Sequence, residues 1–369
     1  MMSSKGDGAL PSVMQCVVCY GPNDYRMETR PIPVIGDDEV LVKVLAVGIC
    51  AGDAKCFSGA PYFWGSDTWP QYVQPPVIPG HEFVGEVVKL GKDAKAKHNL
   101  EVGDYAVSEN IVPCWECRYC KRGSYNMCIP HDVYGFHQNS FGAMCQYMKY
   151  PSKAINHKIS KSIPPWKAAF IEPLACSVHA VELGKIEFDD VVVVSGCGPL
   201  GLGMIAAAKL KCPKLLIAMD LYDWKLDIAK KCGADVTLNP ATCNAIENVK
   251  KLTDGYGCDV YIEATGNPAS VKQGLQMIAR QGTFVEYSVF GKETTVDWTV
   301  ISDAKELTIR GGHCSPYTYP VAIRMIENDQ IPLEDIITHR LPMKEFLKGI
   351  ELVNKSAESI KIVLLPWEN

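Results

Sequence analysis

Four cysteines lie close together in one short segment and have the spacing of metal ligands. The pattern is Cys-x2-Cys-x2-Cys-x7-Cys, and Pro113 and Gly123 mark the segment as a loop. Four thiolates this close can close a tetrahedral site that leaves no position for a substrate, and soft sulfur ligands favour zinc. An iron–sulfur cluster and a nucleic-acid-binding zinc ribbon are the alternatives, which the spacing and the low basic charge disfavour. The sequence therefore predicts a structural zinc ion bound by Cys114, Cys117, Cys120 and Cys128.

A glycine-rich turn follows an apolar run of four valines at residues 191–194. The turn reads Gly-x-Gly-x-x-Gly, and a helical segment follows it. Strand, glycine turn and helix in this order form the context in which the motif binds a dinucleotide, whose pyrophosphate lies at the helix N-terminus. The alternative is a glycine turn of an ordinary α/β protein. We predict that this turn contacts the cofactor through Gly196, Gly198, Pro199, Leu200 and Gly201.

An acidic residue, Asp220, ends the next predicted strand and lies 19 residues after Gly201. A carboxylate at this place accepts hydrogen bonds from the ribose hydroxyls of the cofactor and repels a 2′-phosphate. Lys225 is the nearest cation and could flank the adenosine. The sequence therefore predicts NAD in preference to NADP.

A second set of zinc-type ligands is scattered along the chain. Cys50 and Asp53 follow an alternating strand, His81 and Glu82 precede another, and Glu172 opens the stretch that leads to the glycine motif. Each of these residues alone is more often structural than ligating. Together they offer a thiolate, an imidazole and carboxylates, a set that can bind zinc and leave one position for a substrate.

These motifs together resemble the zinc-dependent medium-chain dehydrogenases, particularly the sorbitol (polyol) dehydrogenase branch and its threonine-dehydrogenase-like relatives. Gly80-His81-Glu82-x-x-Gly85, with Gly91 six residues later, matches the zinc signature of the family. The four-cysteine loop and the glycine fingerprint occur in the order and at the spacing of the family. The resemblance extends over roughly residues 40–363.

The resemblance implies a role for each residue of the scattered set. Cys50 and His81 would bind a catalytic zinc ion, and Asp53 would orient the histidine, as metal-bound imidazoles generally require. Glu82 would be a ligand or lie beside the metal, and Glu172 would bind zinc or hold its water. The sequence does not rank the two glutamates. With the four-cysteine site, two zinc ions per chain and NAD are the implied cofactors.

The implied reaction is NAD-dependent oxidation of a secondary alcohol in a small polyol or sugar. Zinc would polarise the alcohol, and the nicotinamide would take the hydride. Oxidation of L-threonine or another hydroxy-amino acid is an alternative, because the same fold permits it. A protein that kept the scaffold and binds zinc and NAD without catalysis is a third hypothesis.

The chain departs from the family at places that affect the reaction. Many relatives have serine or threonine at the position of Gly52 as the first proton acceptor, so the proton must leave through zinc-bound water, Glu172 or a substrate hydroxyl. The polyol-anchoring arginine of the family falls near His313, which could replace its hydrogen bonding or be an ordinary packed histidine. The aromatic residues at 61–69 could wall the pocket or pack against a neighbouring subunit. We interpret His131, His137 and His179 as structural.

The elements that position these residues change character near residue 165. Before it, short valine-rich runs separated by Pro and Gly indicate a small β-barrel, and residues 58–80 read as a long loop. After it, strands at 191–194, 215–219, 259–264 and 283–288 alternate with helices at 166–182, 202–210, 224–232 and 270–280, which indicates a doubly wound parallel sheet. Helices at 319–327 and 344–353 and a last strand at 359–365 follow.

The predicted fold is therefore α/β with two domains. A chaperonin-10-like β-barrel catalytic domain, as the resemblance implies, takes residues 1–172 and 313–369. A Rossmann domain takes residues 173–312.

Composition limits the partners of this chain of 369 residues. Its net charge of −5 gives no basic excess for nucleic acid or anionic membranes. The start of the chain lacks the pattern of a secretory leader, and no apolar run is long enough to cross a membrane. Most of the 16 cysteines stand singly in apolar segments, as expected of reduced thiols in the cytoplasm. We expect a cytoplasmic homo-oligomer, a dimer or tetramer, that binds a small polyol, sugar or alcohol.

Overall fold

A computed structural model of the chain describes residues 10–368. Valine-rich runs form the strands of its first part, because β-branched side chains pack well on a pleated surface. The first part contains β1 (Val13–Gly21), β2 (Asp24–Pro31), β3 (Val40–Ile49), α1 (Ala51–Phe57), α2 (Pro61–Trp64), β4 (Glu82–Leu90), α3 (Ala94–His98), β5 (Tyr105–Ser108), β6 (Ile111–Val112), α4 (Arg118–Lys121), β7 (Asp132–Val133), β8 (Tyr147–Tyr150), β9 (Asn156–Ile159) and α5 (Pro165–Ala168).

The middle part alternates helices and strands. It contains α6 (Ile171–Gly184), β10 (Val191–Ser195), α7 (Pro199–Lys209), β11 (Leu215–Met219), α8 (Asp223–Lys231), β12 (Val236–Leu238), α9 (Ala245–Leu252), β13 (Cys258–Glu263), α10 (Pro268–Met277), β14 (Ile278–Glu286) and β15 (Thr308–Gly311). The last part contains α11 (Tyr319–Glu327), α12 (Leu333–Ile336), β16 (His339–Pro342), α13 (Phe346–Asn354) and β17 (Ile362–Leu365).

The middle strands form a six-stranded parallel sheet in the order β12-β11-β10-β13-β14-β15. All five residues of β10 are buried, as expected for a central parallel strand covered by helices on both faces. The strand order reverses between β10 and β13, and dinucleotides bind at the carboxyl ends of the strands at such a switch point. The predicted doubly wound sheet is confirmed.

The first and last parts of the chain share a second sheet, in the order β16-β17-β3-β4-β5-β9, with β8 also paired to β3. The last strand, β17, runs antiparallel to β3 near its end, and β4 pairs with the other edge of β3. The C-terminal segment therefore returns to the first domain, as predicted. One apolar cluster joins the two sheets, and it includes Ala46, Val84, Leu174 and Val194.

Several predicted elements have different bounds in the structure. The helix predicted at 166–182 is two helices, and Pro173 lies in the first turn of α6, where a missing N–H costs no hydrogen bond. The helix predicted at 270–280 ends at Met277, because β14 begins at Ile278 and pairs with β13. The predicted loop at 58–80 contains α2, and the last strand begins at Ile362 rather than at 359.

The predicted domain boundaries stay a prediction. The boundary after residue 172 falls in the first turn of α6, and the boundary after residue 312 follows the end of β15. Residues 1–9 and 369, which we assigned to the catalytic domain, lie outside the described residues. Within residues 10–368, none of the helices combines the length and apolar character of a membrane span.

Candidate active site

Strand pairing brings Cys50 and His81 together. Gly48 of β3 is paired with Glu82 of β4, so the residues that flank this pair come from both strands to one end of the sheet. Cys50 is the N-cap of α1: its sulfur accepts a hydrogen bond from the Gly52 N–H at 3.4 Å, and its own N–H donates to Asp53 at 2.9 Å. These two hydrogen bonds hold the Cys50 sulfur at the N-terminus of α1, beside Asp53.

The ligand atoms of Cys50, His81 and Glu82 lie within 4.8 Å of one another. His81 Nδ1 and Asp53 Oδ1 are 3.6 Å apart, and both are buried without a hydrogen-bond partner. Burial by itself would lower the pKa of His81, but the charges of Asp53 and Cys50 raise it well above its usual value. Asp53 therefore faces the Nδ1 side of the ring, and a thiol, an imidazole and a carboxylate within reach of one another fit a bound cation. The donor set suits zinc.

Glu82 has a partner that the sequence analysis did not identify. The Lys361 ammonium, from the residue before β17, forms a buried ion pair with Glu82 Oε2 and donates to the Ile49 carbonyl at 3.0 Å. The Glu82 carboxylate also packs closely against Gly48, because a Cβ added at Gly48 would lie only 2.1 Å from Glu82 Oε2. The signal in the sequence was a single charge inside the apolar segment 360–364.

Glu172 lies in the first turn of α6, beside this set rather than within it. Its Oε1 accepts a hydrogen bond from Asn110 Nδ2 at 2.7 Å, and the Cys176 thiol lies 3.4 Å away. Burial raises the pKa of Glu172 to about 7, although the nearby His81 opposes the shift. The carboxyl can therefore change its protonation state near neutral pH. Asn110 gave no signal in the sequence.

Gly52 leaves room beside the cysteine. A Cβ added there would lie 3.7 Å from Cys50 Sγ and 3.8 Å from the Phe63 ring, which is ordinary contact. The site accommodates a serine, so the glycine is not required by packing.

Part of the aromatic segment packs beside the ligand set. Phe63 is buried and stacks on Phe136, with ring centroids 5.3 Å apart. Phe136 in turn lies 5.6 Å from the His81 ring and 5.5 Å from Tyr72. Trp69, by contrast, is 52% exposed. The buried part of this segment thus forms a wall next to His81, and its other end faces outward.

Two histidines meet at the far end of this wall. His131 Nε2 and His313 Nε2 are 2.6 Å apart, although the two residues are remote in sequence. The Cys314 sulfur lies 3.1 Å from His313 Nε2. Burial, together with the partner imidazole, lowers the pKa of His131 to about 4, and burial also lowers that of His313. Burial therefore favours the neutral form of both rings.

The other two histidines that we interpreted as structural have ordinary packing partners. His137 Nε2 lies 3.0 Å from the Tyr72 carbonyl, and the His179 ring makes an edge contact with Tyr287.

The four cysteines of the loop converge in space. Their sulfur atoms lie within 4.8 Å of one another, and Cys114 Sγ and Cys120 Sγ are 3.9 Å apart. A tetrahedral zinc site with bonds of ~2.3 Å places its sulfurs about 3.8 Å apart. Backbone N–H donors lower the pKa of Cys117 to about 6. All four thiols are free, so the arrangement fits a metal rather than disulfides.

The glycine turn adopts the conformation that its residues predict. Gly196 has φ 103°, and a Cβ at Gly201 would lie 1.8 Å from the Gly196 carbonyl oxygen, so the helix can approach only without a side chain. Pro199 is the first residue of α7, and Leu200 follows it. A Cβ at Gly198 would meet nothing within 4 Å. The turn therefore leaves open space beside the N-terminus of α7.

A cavity of about 560 Å³ lies at this turn, lined among others by Gly196, Gly198, Asp220 and Lys225. Asp220 Oδ2 accepts a hydrogen bond from the Cys197 N–H at 2.7 Å, which fixes the carboxylate against the turn. Lys225 is buried beneath the rings of Tyr222 and Trp224. The cavity lies at the carboxyl ends of the strands, where a dinucleotide would bind.

Comparison with known proteins identifies the family. The model of the alcohol dehydrogenase GroES-like domain matches residues 36–161, and that of the zinc-binding dehydrogenase domain matches residues 199–328. The chain belongs to the zinc-dependent medium-chain dehydrogenase family. It is therefore an enzyme, an oxidoreductase whose cofactors are zinc and a nicotinamide dinucleotide. The predicted fold, with its chaperonin-10-like barrel, is confirmed, and the hypothesis of a non-catalytic binding protein is wrong.

Three of the matching proteins show which enzymes this zinc-dependent dehydrogenase resembles. Erythritol/L-threitol dehydrogenase of Mycolicibacterium smegmatis is 53% identical over 97% of this chain and 99% of its own length. L-threonine 3-dehydrogenase of Pyrococcus horikoshii is 35% identical over 96% of this chain and 98% of its own length. A structure of an Escherichia coli CFT073 alcohol dehydrogenase complexed with NADH has a TM-score of 0.84 and 26% identity, covering 96% of this chain and all of that one.

The position of Asp220 makes the choice between NAD and NADP testable. We expect Asp220→Ala to weaken NAD binding about 10- to 100-fold, because a hydrogen bond to a charged group is worth ~1.5–3 kcal/mol. The preference for NAD over NADP, measured as the ratio of kcat/KM values, should shrink with it. Asp227→Ala, on the exposed face of α8, should change neither value. A wild-type enzyme that prefers NADP would show that Asp220 does not select the cofactor.

Substitutions in the four-cysteine loop should lower the stability of the fold rather than the rate of the reaction. We expect Cys117→Ser to lower the melting temperature by about 10 °C or more, since binding of structural zinc is linked to folding. Cys212→Ser, which changes an exposed cysteine outside the loop, is the matched control and should melt as the wild type does. Calorimetry with zinc analysis checks this. If Cys117→Ser loses activity at unchanged stability, the loop does not have a structural role.

Proposed function

We propose that this enzyme oxidises a secondary alcohol of a small polyol, a four-carbon tetritol in the first place, with reduction of NAD. The convergence of Cys50, His81 and Glu82 beside an aromatic wall is the observation on which the proposal depends. The 53% identity with an erythritol/L-threitol dehydrogenase supports the choice of substrate. The reverse reaction, reduction of a ketose, would follow under excess NADH.

In this proposal each side chain of the site has a separate task. Cys50, His81 and Glu82 would hold a catalytic zinc ion, whose chemistry when bound is to stabilise an alkoxide at neutral pH. Asp53 would orient the His81 ring from its Nδ1 side. The Lys361 ammonium balances one oxygen of Glu82 and leaves the other for the metal. Glu172 would hold the proton that leaves the alcohol.

The dinucleotide would bind at the glycine turn between β10 and α7. Gly196, Gly198, Pro199, Leu200 and Gly201 would surround the pyrophosphate at the N-terminus of α7. Asp220 would accept the ribose hydroxyls, and Lys225 would flank the adenosine. The four cysteines would hold the structural zinc ion.

Oxidation of L-threonine is the second candidate, because a relative at 35% identity is an L-threonine 3-dehydrogenase. The erythritol/L-threitol dehydrogenase is the more similar of the two relatives, at 53% identity. We therefore favour the uncharged polyol.

We further propose that the enzyme works in the cytoplasm as a homo-oligomer without nucleic-acid or membrane partners. The reduced thiols and the net charge of −5 support this view.

A substrate screen tests the proposed function. Purified enzyme with NAD is offered erythritol, D-threitol, L-threitol, 2,3-butanediol, L-threonine and ethanol, and NADH absorbance is followed. We expect the highest kcat/KM with a tetritol. A higher value with L-threonine than with every polyol would overturn the proposal.

A further inference from the structure

A second cavity, of about 440 Å³, is separate from the cofactor cavity. None of the described residues around it lines the cofactor cavity or belongs to either predicted zinc site. It lies where the four-cysteine loop, strand β9 and the start of α11 meet. Its walls include Glu109, Trp115, Tyr125, Asn156, His157 and Tyr317. The proposed dehydrogenase reaction does not use these residues.

A buried carboxylate lies in the wall of this cavity. The side chain of Glu109 is 3% exposed. Its Oε2 accepts a hydrogen bond from the Tyr125 hydroxyl at 2.6 Å, and its Oε1 lies 3.0 Å from His157 Nε2. Among the described residues, His157 is the only basic side chain within 4.0 Å of this carboxylate, and an imidazole carries a charge only when it is protonated. Burial of a carboxylate is costly without a positive partner, so Glu109 favours a cation in the cavity.

Asn156 adds an acceptor atom that has no partner. His98 Nε2 contacts the Asp38 carbonyl at 2.9 Å, so this nitrogen carries the proton, and Nδ1 of the neutral ring is an acceptor. The Asn156 amide nitrogen donates to His98 Nδ1 at 3.0 Å, which fixes the orientation of the amide. Its Oδ1 is buried without a hydrogen-bond partner. A buried oxygen of this kind needs a donor, which a ligand of the cavity can supply.

Three aromatic rings surround the same cavity. The ring centroid of Tyr125, which is buried, lies 5.8 Å from that of Trp115 and 5.0 Å from that of Tyr317. Trp115 and Tyr317 are 45% and 65% exposed, yet both have φ 64°, which is rare for bulky residues and persists only where the surroundings impose it. Trp115 Nε1 donates to the Lys153 carbonyl at 3.0 Å, and the Tyr317 hydroxyl donates to the Gly123 carbonyl at 2.8 Å. The rings are therefore held in place without a ligand.

We propose that this cavity binds a primary alkylammonium ion. The faces of aromatic rings attract an ammonium group, the Glu109 carboxylate supplies the opposite charge, and Asn156 Oδ1 accepts one of the three N–H bonds. Lys97 also lines the cavity, but its ammonium is paired with Asp38 at 2.6 Å. An anionic ligand would meet the like charge of Glu109. The site does not depend on which alcohol the enzyme oxidises.

A lysine side chain from a second copy of this chain is the rival occupant. It carries the same ammonium group, and the exposed faces of Trp115 and Tyr317 would admit it. The two occupants differ in their consequences, because only the second makes the oligomeric state depend on the cavity. A free ion binds to each copy by itself.

Titration calorimetry of the zinc-replete enzyme with n-butylammonium chloride tests the site. We expect this ion to bind at least about tenfold more tightly than methyl propyl ether, a neutral molecule of the same size, because the ether has neither charge nor donor. Tetramethylammonium keeps the charge but has no N–H, so it should bind more weakly than n-butylammonium.

Variants of the cavity assign the binding to it. We expect Glu109→Gln to weaken binding of n-butylammonium about tenfold or more, since the carboxylate loses its charge. Trp115→Ala should weaken it roughly 3- to 30-fold, and Trp115→Phe, which keeps an aromatic ring, should lose less. Glu116→Gln removes a carboxylate that is 80% exposed on the same loop and is the matched control. Circular dichroism and zinc analysis of each variant show that the fold and the metal are retained.

The outcomes decide between the occupants. Equal affinity for n-butylammonium and methyl propyl ether, or unchanged binding in both Glu109→Gln and Trp115→Ala, would contradict the site. Failure of n-butylammonium to bind, together with a multimer that Trp115→Ala dissociates in light scattering, would assign the cavity to a second copy of the chain and overturn the inference. If Glu109→Gln does not fold, the difference between Trp115→Ala and Trp115→Phe decides.

Discussion

His81→Ala should reduce kcat/KM at least ~10³-fold while the chain stays folded. Lewis-acid stabilisation by a metal is worth several kcal/mol, and each ~1.4 kcal/mol is a factor of ten in rate. His81 is the imidazole of the buried set with Cys50 and Glu82, and its Nδ1 faces Asp53. Steady-state kinetics and metal analysis of the same sample check the expectation, with about one zinc ion per chain lost.

The control for this variant is His98→Ala. His98 is a half-buried histidine whose Nε2 contacts the Asp38 carbonyl at 2.9 Å, away from the ligand set. It should keep both metal ions and wild-type activity. If His81→Ala retains its full zinc content and its turnover, then the catalytic metal is bound elsewhere.

Glu172→Gln should lower kcat by about 10²- to 10⁴-fold, the usual range for the loss of general acid–base help. Burial raises the pKa of Glu172 to about 7. The carboxyl accepts a proton only when it is ionised, so wild-type kcat should rise as the pH climbs through this pKa. A bound cation favours the ionised form, which places the inflection at or below pH 7. The glutamine variant should lack the inflection.

Two companion variants make this result specific. Glu182→Gln lies on the same helix with an exposed side chain and should keep the wild-type rate and pH profile. Gly52→Ser places a Cβ 3.7 Å from Cys50 Sγ, which is ordinary contact, and its hydroxyl should restore part of the rate in the Glu172→Gln background. A zinc-replete Glu172→Gln enzyme with the wild-type kcat and pH profile would remove Glu172 from proton transfer.

Much of the fold followed from local patterns. The four consecutive valines of β10 indicated a strand buried on both faces, and the predicted strand at 215–219 and helix at 319–327 have the same bounds in the structure. The predicted bounds are wrong where pairing with a strand remote in sequence determines the secondary structure. Residues 278–280 continue a helical pattern, but in the structure they extend a parallel strand beside β13. No local signal carries that information.

The candidate site likewise contains residues that the sequence predicted and residues that it did not. Ligand type and spacing pointed to Cys50, His81 and Glu82, and the structure brings these three together. Lys361 and Asn110 were not predicted, because they contact the site through residues that are remote in sequence. A lysine in an apolar segment, or an asparagine, does not show by itself which residue it contacts. Its partner becomes visible only when the strands and loops are placed.

The ion pair between Lys361 and Glu82 has a consequence for synthesis on the ribosome. Glu82 is translated well before Lys361, which supplies its counter-charge from one of the last segments of the described chain. Until that segment emerges and β17 pairs with β3, the carboxylate of Glu82 has no ammonium partner, and burial of an unpaired charge is costly. The carboxylate of Glu82 is therefore buried with its ammonium partner only after β17 has paired with β3.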